Sequence, residues 1–267
     1  DLGYDLDEAL EREKIHRKDL IELKKLISLS NHVPKTISEK LLACFYVACN
    51  KKIDETKNVI EIYYEARKNT PELFSQRQQF NTSIQKVFYL PPTPDGYPIV
   101  FYKLSKPDIL SFNFPESNKT FFMTVEACLH KYGPRPGIIF MMDMDTCRLW
   151  HLFRLNPLVL SKIFHYLQEA MPIKLKAFYM INTVSFIDKF IRLVKPLMKA
   201  ELFNLMHFLP PSYNMEDFYR DYVPRECLPK TYGGKLASVD QLNNENIEIL
   251  ENLESYFAAE EKEREEN

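Results

Sequence analysis

The spacing of apolar residues changes character partway along this chain. Through the first 80 residues it follows a helical period. In 19–29 the apolar positions Leu20, Ile21, Leu23, Leu26, Ile27 and Leu29 recur near 3.6, with Lys24 and Lys25 between them. Thr36 with Glu39 three residues on predicts a capping box opening a helix over 37–49. Asp54 predicts the cap of the next helix, whose stripe is Val59, Ile60, Ile62, Tyr63 and Ala66, stopped at Pro71.

From about residue 85, strand and helix signals alternate. Residues 97–104 are β-branched and aromatic after the turn cluster 91–96, and 117–132 predicts a helix. Residues 137–142 (GIIFMM) form a short continuous apolar run, as expected of a strand buried on both faces. Asn156-Pro157 places an N-cap before proline at the first helical position. Leu160, Ile163, Phe164, Leu167 and Met171 then mark one helix face, ending at Pro172, and 176–184 predicts another strand. Strands separated by helices of that length predict an α/β fold with crossovers and a mostly parallel sheet. The acidic end after Leu253 is expected to be solvated or frayed.

Residues 185–199 are the most strongly amphipathic. Phe186, Ile187, Phe190, Ile191, Leu193 and Val194 share one side; Leu197 and Met198 join them if Pro196 only kinks the helix. Asp188, Lys189, Arg192, Lys195 and Lys199 fill the other. Periodicity leaves two readings open: a surface helix over a core, or a lid over a lipid cavity whose basic face meets an anionic membrane.

Composition narrows the chemistry. Six glycines in 267 residues is roughly a third of the usual share of about 7%. No cluster of them could cradle a phosphate, which disfavours nucleotide-binding loops. The formal charge of −2 supplies no basic field for nucleic acid. Phe and Tyr number 19 and 15 against a single Trp, enough for a large core or an apolar cavity. Five scattered cysteines without a C-x-x-C pair predict reduced thiols in a cytoplasmic protein. The opening DLGYDLDEALEREK is charged and lacks a signal core, and its start at Asp1 leads us to expect a short missing upstream piece. No run approaches the roughly 18 apolar residues of a membrane span.

Three segments in order, GIIFMMDMD, LQEAMPIKLKAFYMINTVSFIDKFIRLVKP and CLPKTYGG, together with ACFYVACNKKIDETKNVIEIYYEARKNTPELF upstream, resemble the CRAL-TRIO (Sec14-like) lipid-binding family. The resemblance is greatest to its α-tocopherol transfer and retinaldehyde-binding branch. It implies a helical domain over 1–80, a lipid-binding domain over 81–250 and an acidic tail over 251–267. It further implies a sheet flooring an apolar pocket, closed by an amphipathic lid at 185–199.

The resemblance implies a monomeric, non-catalytic cytoplasmic carrier of a retinoid, tocopherol, carotenoid or isoprenoid, with no cofactor or metal and transient contact with an anionic membrane. Pocket-facing positions would be Ile138, Phe140, Met142, Phe178 and Met180 on the strands. Ile163, Leu167 and Met171 would follow from the helix between them, and Ile187, Phe190, Ile191 and Val194 from the lid. Lys174 and Lys176 match basic positions for phosphoinositides, with Lys189, Arg192 and Lys195 as a further membrane patch. Glu201 and Leu205 stand where the tocopherol carrier is basic, FYVAC replaces a basic segment, and Thr146 stands where the family often has glycine. The alternative is a phospholipid-sensing signalling or scaffold module.

Other constellations carry less. His16, His32, His130, His151, His165 and His207 show no metal spacing, and no G-x-S-x-G elbow occurs. His165, near the expected pocket, could bond a ligand's polar end or be structural. Asp143 and Asp145 are expected to be solvated or to cap a helix. Gly233-Gly234 is expected to form a turn with positive φ.

Overall fold

The computed structural model describes residues 1–30, 33–106, 108 and 110–266; His32 and Asn267 lie outside them. The chain opens with α1 (Leu6–Arg12), α2 (Arg17–Ile27), α3 (Glu39–Ala48), α4 (Ile53–Lys68) and α5 (Pro71–Phe74). Strands β1 (Gln85–Leu90) and β2 (Ile99–Leu104) lead into α6 (Phe114–Tyr132) and β3 (Ile138–Asp143). Next come α7 (Leu149–Leu152), α8 (Pro157–Glu169), β4 (Leu175–Ile181), α9 (Ile187–Val194), α10 (Ala200–Phe203) and β5 (Met206–Phe208). The chain closes with α11 (Met215–Asp221), α12 (Val239–Asn252) and α13 (Glu254–Glu265).

Among the described residues the strands make one five-stranded sheet in the order β1-β2-β3-β4-β5. β1 runs antiparallel to β2, and the remaining pairs are parallel. This monotonic order follows from where the crossovers lie. Residues of α6, α8 and α9 share one core cluster with Val100, Phe140 and Met180, on one sheet face. Right-handed crossovers kept to one face advance the sheet in one direction. The same cluster runs from Leu2 to Met206, so the N-terminal helices and the sheet share an interior.

The opposite face carries Phe88, Phe101, Ile139, Met141, Tyr179 and Ile181, covered by Phe218, Leu228 and Val239. The L-P-x-x-Y-G-G segment acts as a clamp there. Tyr232 donates its hydroxyl hydrogen to Asp143 Oδ2 at 2.5 Å, and the Tyr219 hydroxyl donates to the Tyr232 carbonyl at 2.6 Å. Gly233 has φ +73°, the expected left-handed turn. At Gly234 a Cβ would fall 1.9 Å from the Leu228 carbonyl oxygen, so a side chain there would force the clamp apart.

Three local expectations are corrected. Ser38, rather than Thr36, caps α3, accepting from Leu41 N–H at 3.1 Å. Ile37 is buried ahead of that cap, and Thr36 instead donates to Glu263. Lys52 occupies the N-cap of α4, and Asp54 sits in its first turn, where a carboxylate meets the positive end of the helix dipole. The largest correction concerns the acidic end. Its residues form α13, and Phe257, Glu261 and Arg264 are buried.

The acidic carboxylates are compensated from the far end of the chain. Arg77, 1% exposed, reaches Glu261 at 2.9 Å and Glu126 at 2.9 Å, and also contacts Glu260. Arg67 pairs with Glu126, and Arg264 donates to the Arg67 carbonyl at 3.1 Å. Burial alone would raise the Glu260 carboxyl, but Arg67, Arg77 and Arg264 hold it below the usual range. An ion network this deep is costly to break, because any removed partner strands a buried charge.

Candidate functional site

Between α6, α8, α9 and the one-sided sheet face lies an apolar cavity of about 160 Å³. Its floor is Phe140, Met142, Phe178 and Met180; period-two alternation brings these side chains to one face, and parallel pairing sets Phe140 beside Phe178. The Phe140 ring meets Phe121 edge-on at 4.8 Å and Phe178 edge-on at 5.9 Å. Leu160, Ile163, Phe164 and Leu167 make the α8 wall. Phe186 and Phe190 close the α9 side.

Seven of the twelve positions named for the pocket therefore border this cavity: Phe140, Met142, Ile163, Leu167, Phe178, Met180 and Phe190. The other five do not. Ile138 points to the same side but sits at the opening end of β3, fully buried in packed core. Met171 lies past the end of α8 and borders a separate cleft with Cys49 and Leu175. Val194 is buried against the core, and Ile187 and Ile191 are half-buried beside the cavity lining. The reason on α9 is geometric: Ile187 and Ile191 each lie one residue, about 100°, round the helix from the cavity-facing Phe186 and Phe190, and Val194 lies a turn beyond Phe190. Lys195–Leu197 turns into a 3-10 segment at Pro196, which lacks the N–H needed to continue the ladder.

Several walls had no strong sequence signal. Phe112, Phe114 and Phe121 come from the start of α6 and the loop before it, and Leu152 and Leu155 from the region of α7. His165 is exposed, whereas His151 borders the cavity and is buried. His151 Nδ1 accepts from the Arg148 N–H at 2.8 Å, while Nε2 has no hydrogen-bond partner among the described residues. Burial holds the imidazole below its ordinary pKa.

The remaining polar groups near the cavity are already engaged. The Tyr102 hydroxyl and Ser117 Oγ lie 2.6 Å apart, and Asn118 Nδ2 donates to the Phe114 carbonyl at 2.8 Å. Burial pushes the Cys147 thiol up to about 12, which removes it as a nucleophile near neutral pH. Asp143 corrects the expectation of a solvated pair. It is 1% exposed and bound by Lys103 Nζ at 2.8 Å and Asn182 Nδ2 at 3.0 Å. Burial would raise this carboxyl, but the bonds from Lys103, Tyr232 and Asn182 outweigh it and hold it low. The group ties strand ends together rather than offering a proton to a substrate.

The basic positions fall in different places. Lys174 Nζ donates to Asn50 Oδ1 at 2.7 Å, in a cleft also lined by Glu55, Glu169 and Glu201. Lys176 lies over the Tyr97 ring, 5.3 Å from its centroid. Lys189, Arg192 and Lys195 are exposed on the outer side of α9.

An apolar cavity on one face of a crossover sheet, bordered by an amphipathic helix, defines an α/β domain with an enclosed apolar site. The CRAL/TRIO domain matches residues 82–234, and a Pinta-like UBA domain matches residues 12–84. The chain belongs to the CRAL/TRIO family, whose members bind and transfer lipophilic ligands. Similar relatives are the alpha-tocopherol transfer protein-like proteins. The Homo sapiens protein is 22% identical over 244 residues, covering 86% of this chain and 70% of its own length. The Mus musculus protein is 23% identical over 242 residues, with the same coverage. The crystal structure of Sfh5 shares the fold at TM-score 0.56 and 13% identity, covering 91% of this chain and 93% of its own. Among the described residues no helix is long and apolar enough to cross a membrane.

Proposed function

We propose that this protein is an intracellular carrier of a lipophilic small molecule of the retinoid, tocopherol, carotenoid or isoprenoid class. It holds the ligand in the cavity over β3 and β4 and releases it at membranes when α9 opens. The observation that carries this reading is the state of α9. Phe186, Ile187, Phe190, Ile191 and Leu193 line up as an apolar face, yet all stay half-exposed, and Val194 alone is buried.

The cavity's size supports an opening step. A void of about 150 Å³ accommodates benzene, whereas drug-sized ligands occupy about 300–1,000 Å³. A larger lipophile must displace wall residues, and Phe186 and Phe190 are half-buried on the α9 side, where only Val194 is buried. Burial then gains roughly 25 cal/mol per Å² of apolar surface, which suffices for tight binding without an ion pair. On this reading Phe140, Met142, Ile163, Leu167, Phe178, Met180 and Phe190 touch the ligand. Ile138, Met171, Ile187, Ile191 and Val194 support them from behind. Phosphoinositide recognition at Lys174 draws less support, because three carboxylates line the same cleft.

The test is native mass spectrometry with organic extraction of the purified protein. A bound lipophile is the expected result. If no retinoid, tocopherol, carotenoid or isoprenoid copurifies or binds, while headgroup-specific vesicle binding is strong, the sensing module replaces the carrier.

A further inference from the structure

The outer surface of α7 and the turn after it carries an exposed apolar group with no role in the cavity. Trp150, Phe153 and Leu158 are 62%, 74% and 75% exposed, and the Trp150 and Phe153 rings lie 6.0 Å apart. Trp150 is the chain's single tryptophan. Large apolar side chains scattered singly are ordinary, but a paired Trp and Phe beside a cavity wall is a contiguous patch.

The charge around this patch points to its occupant. Between Asp145 and Glu169 the chain contains no Asp or Glu, yet it holds Arg148, Arg154 and Lys162. Lys162 is paired with Glu72 at 2.9 Å. Arg148 donates to the carbonyls of Asp145 and Cys147 at 2.8 and 2.9 Å, and Arg154 is exposed; neither forms an ion pair among the described residues. The patch also adjoins the mouth. His151, Leu152 and Leu155 turn inward to the cavity, and Arg148 borders a surface hollow with Ser185 and Phe186, where α9 begins.

We propose that this patch is the membrane-docking surface: Trp150 and Phe153 enter the interface of an anionic leaflet while Arg148 and Arg154 meet its headgroups. Aromatic side chains settle at the headgroup level, and nearby cations add attraction to anionic lipid. A bilayer seated there lies against the start of α9, so a ligand leaving between α7 and α9 passes into lipid rather than water. The surface serves the carrier role proposed above and rests on that reading for its purpose, but its docking can be measured without any ligand.

The lone tryptophan is the reporter. Adding phosphatidylcholine vesicles that contain phosphatidylserine to the full chain should shift Trp150 emission to the blue and shield it from aqueous quenchers; pure phosphatidylcholine should do so far less. Trp150→Ser and Phe153→Ser should each weaken cosedimentation with the anionic vesicles by about tenfold, or about 1.4 kcal/mol. Both variants should keep wild-type thermal stability and any copurifying lipophile, because the side chains are exposed. Unshifted emission together with wild-type cosedimentation of both variants overturns the docking surface and leaves the carrier reading intact. Equal shifts on neutral and anionic vesicles overturn the electrostatic part. Absence of any lipophile, with Trp150 still entering vesicles, removes the carrier reading alone. A soluble protein that shields Trp150 where vesicles do not would overturn the bilayer as occupant.

Discussion

α8 and α9 pack on the same sheet face and border the same cavity, yet they are held very differently. In α8, Asn156 caps the start by accepting from the Leu158 and Val159 N–H groups at 2.9 and 3.3 Å, and Val159, Leu160, Ile163, Phe164 and Tyr166 are buried. α9 has no side-chain cap, ends after eight residues before Pro196, and buries only Val194. Both are amphipathic in sequence. They differ in how far the apolar face is covered, the difference that the proposed carrier role reads as wall against lid, and coverage is a property of packing that periodicity does not report.

The comparison can be broken by substitution, beginning with the largest effect. Phe164→Ala on α8 should lower stability by about 3–5 kcal/mol in chemical denaturation, whereas Leu193→Ala on α9 should cost under about 1 kcal/mol because that side chain already meets water. Equal losses would remove the distinction. Arg77→Ala gives a loss of similar size to Phe164→Ala, about 3–5 kcal/mol, by stranding Glu261 and leaving Glu126 with Arg67 alone; a neutral result would contradict the docking of α13.

Phe190→Asp places an unpaired charge at the cavity and should abolish retention of a copurified lipophile, read by extraction, while circular dichroism stays unchanged. Unaltered retention would count against α9 as the closing element. Replacing Lys189, Arg192 and Lys195 with glutamine should slow transfer to anionic vesicles with equilibrium binding nearly intact; loss of binding in solution would contradict that division of roles.

The smallest effect is on pH dependence. Burial lowers the folded-state pKa of His151, so the unfolded chain takes up the proton first as pH drops. Its stabilisation is fully present above the unfolded value of about 6.5 and is lost as pH falls through the lower folded value. His151→Asn should flatten the stability profile in that window, and an unchanged slope would show that His151 is not the titrating group.

Much of this architecture was legible in the sequence, for identifiable reasons. β3 and β4 are dense apolar runs, Asn156-Pro157 announces α8, and the 185–199 wheel marks α9. The family resemblance implied a sheet floor and alternation picked its positions on two strands; Phe140, Met142, Phe178 and Met180 border the cavity and Ile138 does not. What was hidden depends on distant partners. Phe112, Phe114 and Phe121 belong to an aromatic-rich stretch whose inward side is fixed only once α6 lies across the sheet. β5 is three residues long, too short to carry a period. α13 reads as solvated because its carboxylates find Arg67 and Arg77 at the other end of the chain, with Arg77 and Glu261 separated by 184 residues.

Hydrogen exchange across α8 and α9 tests the central claim most directly. If α9 is a lid, the amides of 187–194 open locally and exchange orders of magnitude faster than those of 159–169, whose exchange approaches the global limit. Anionic vesicles should accelerate the α9 amides further and leave α8 unchanged. Equal protection of the two helices, with no response of α9 to vesicles, would contradict the account and make α9 a fixed wall.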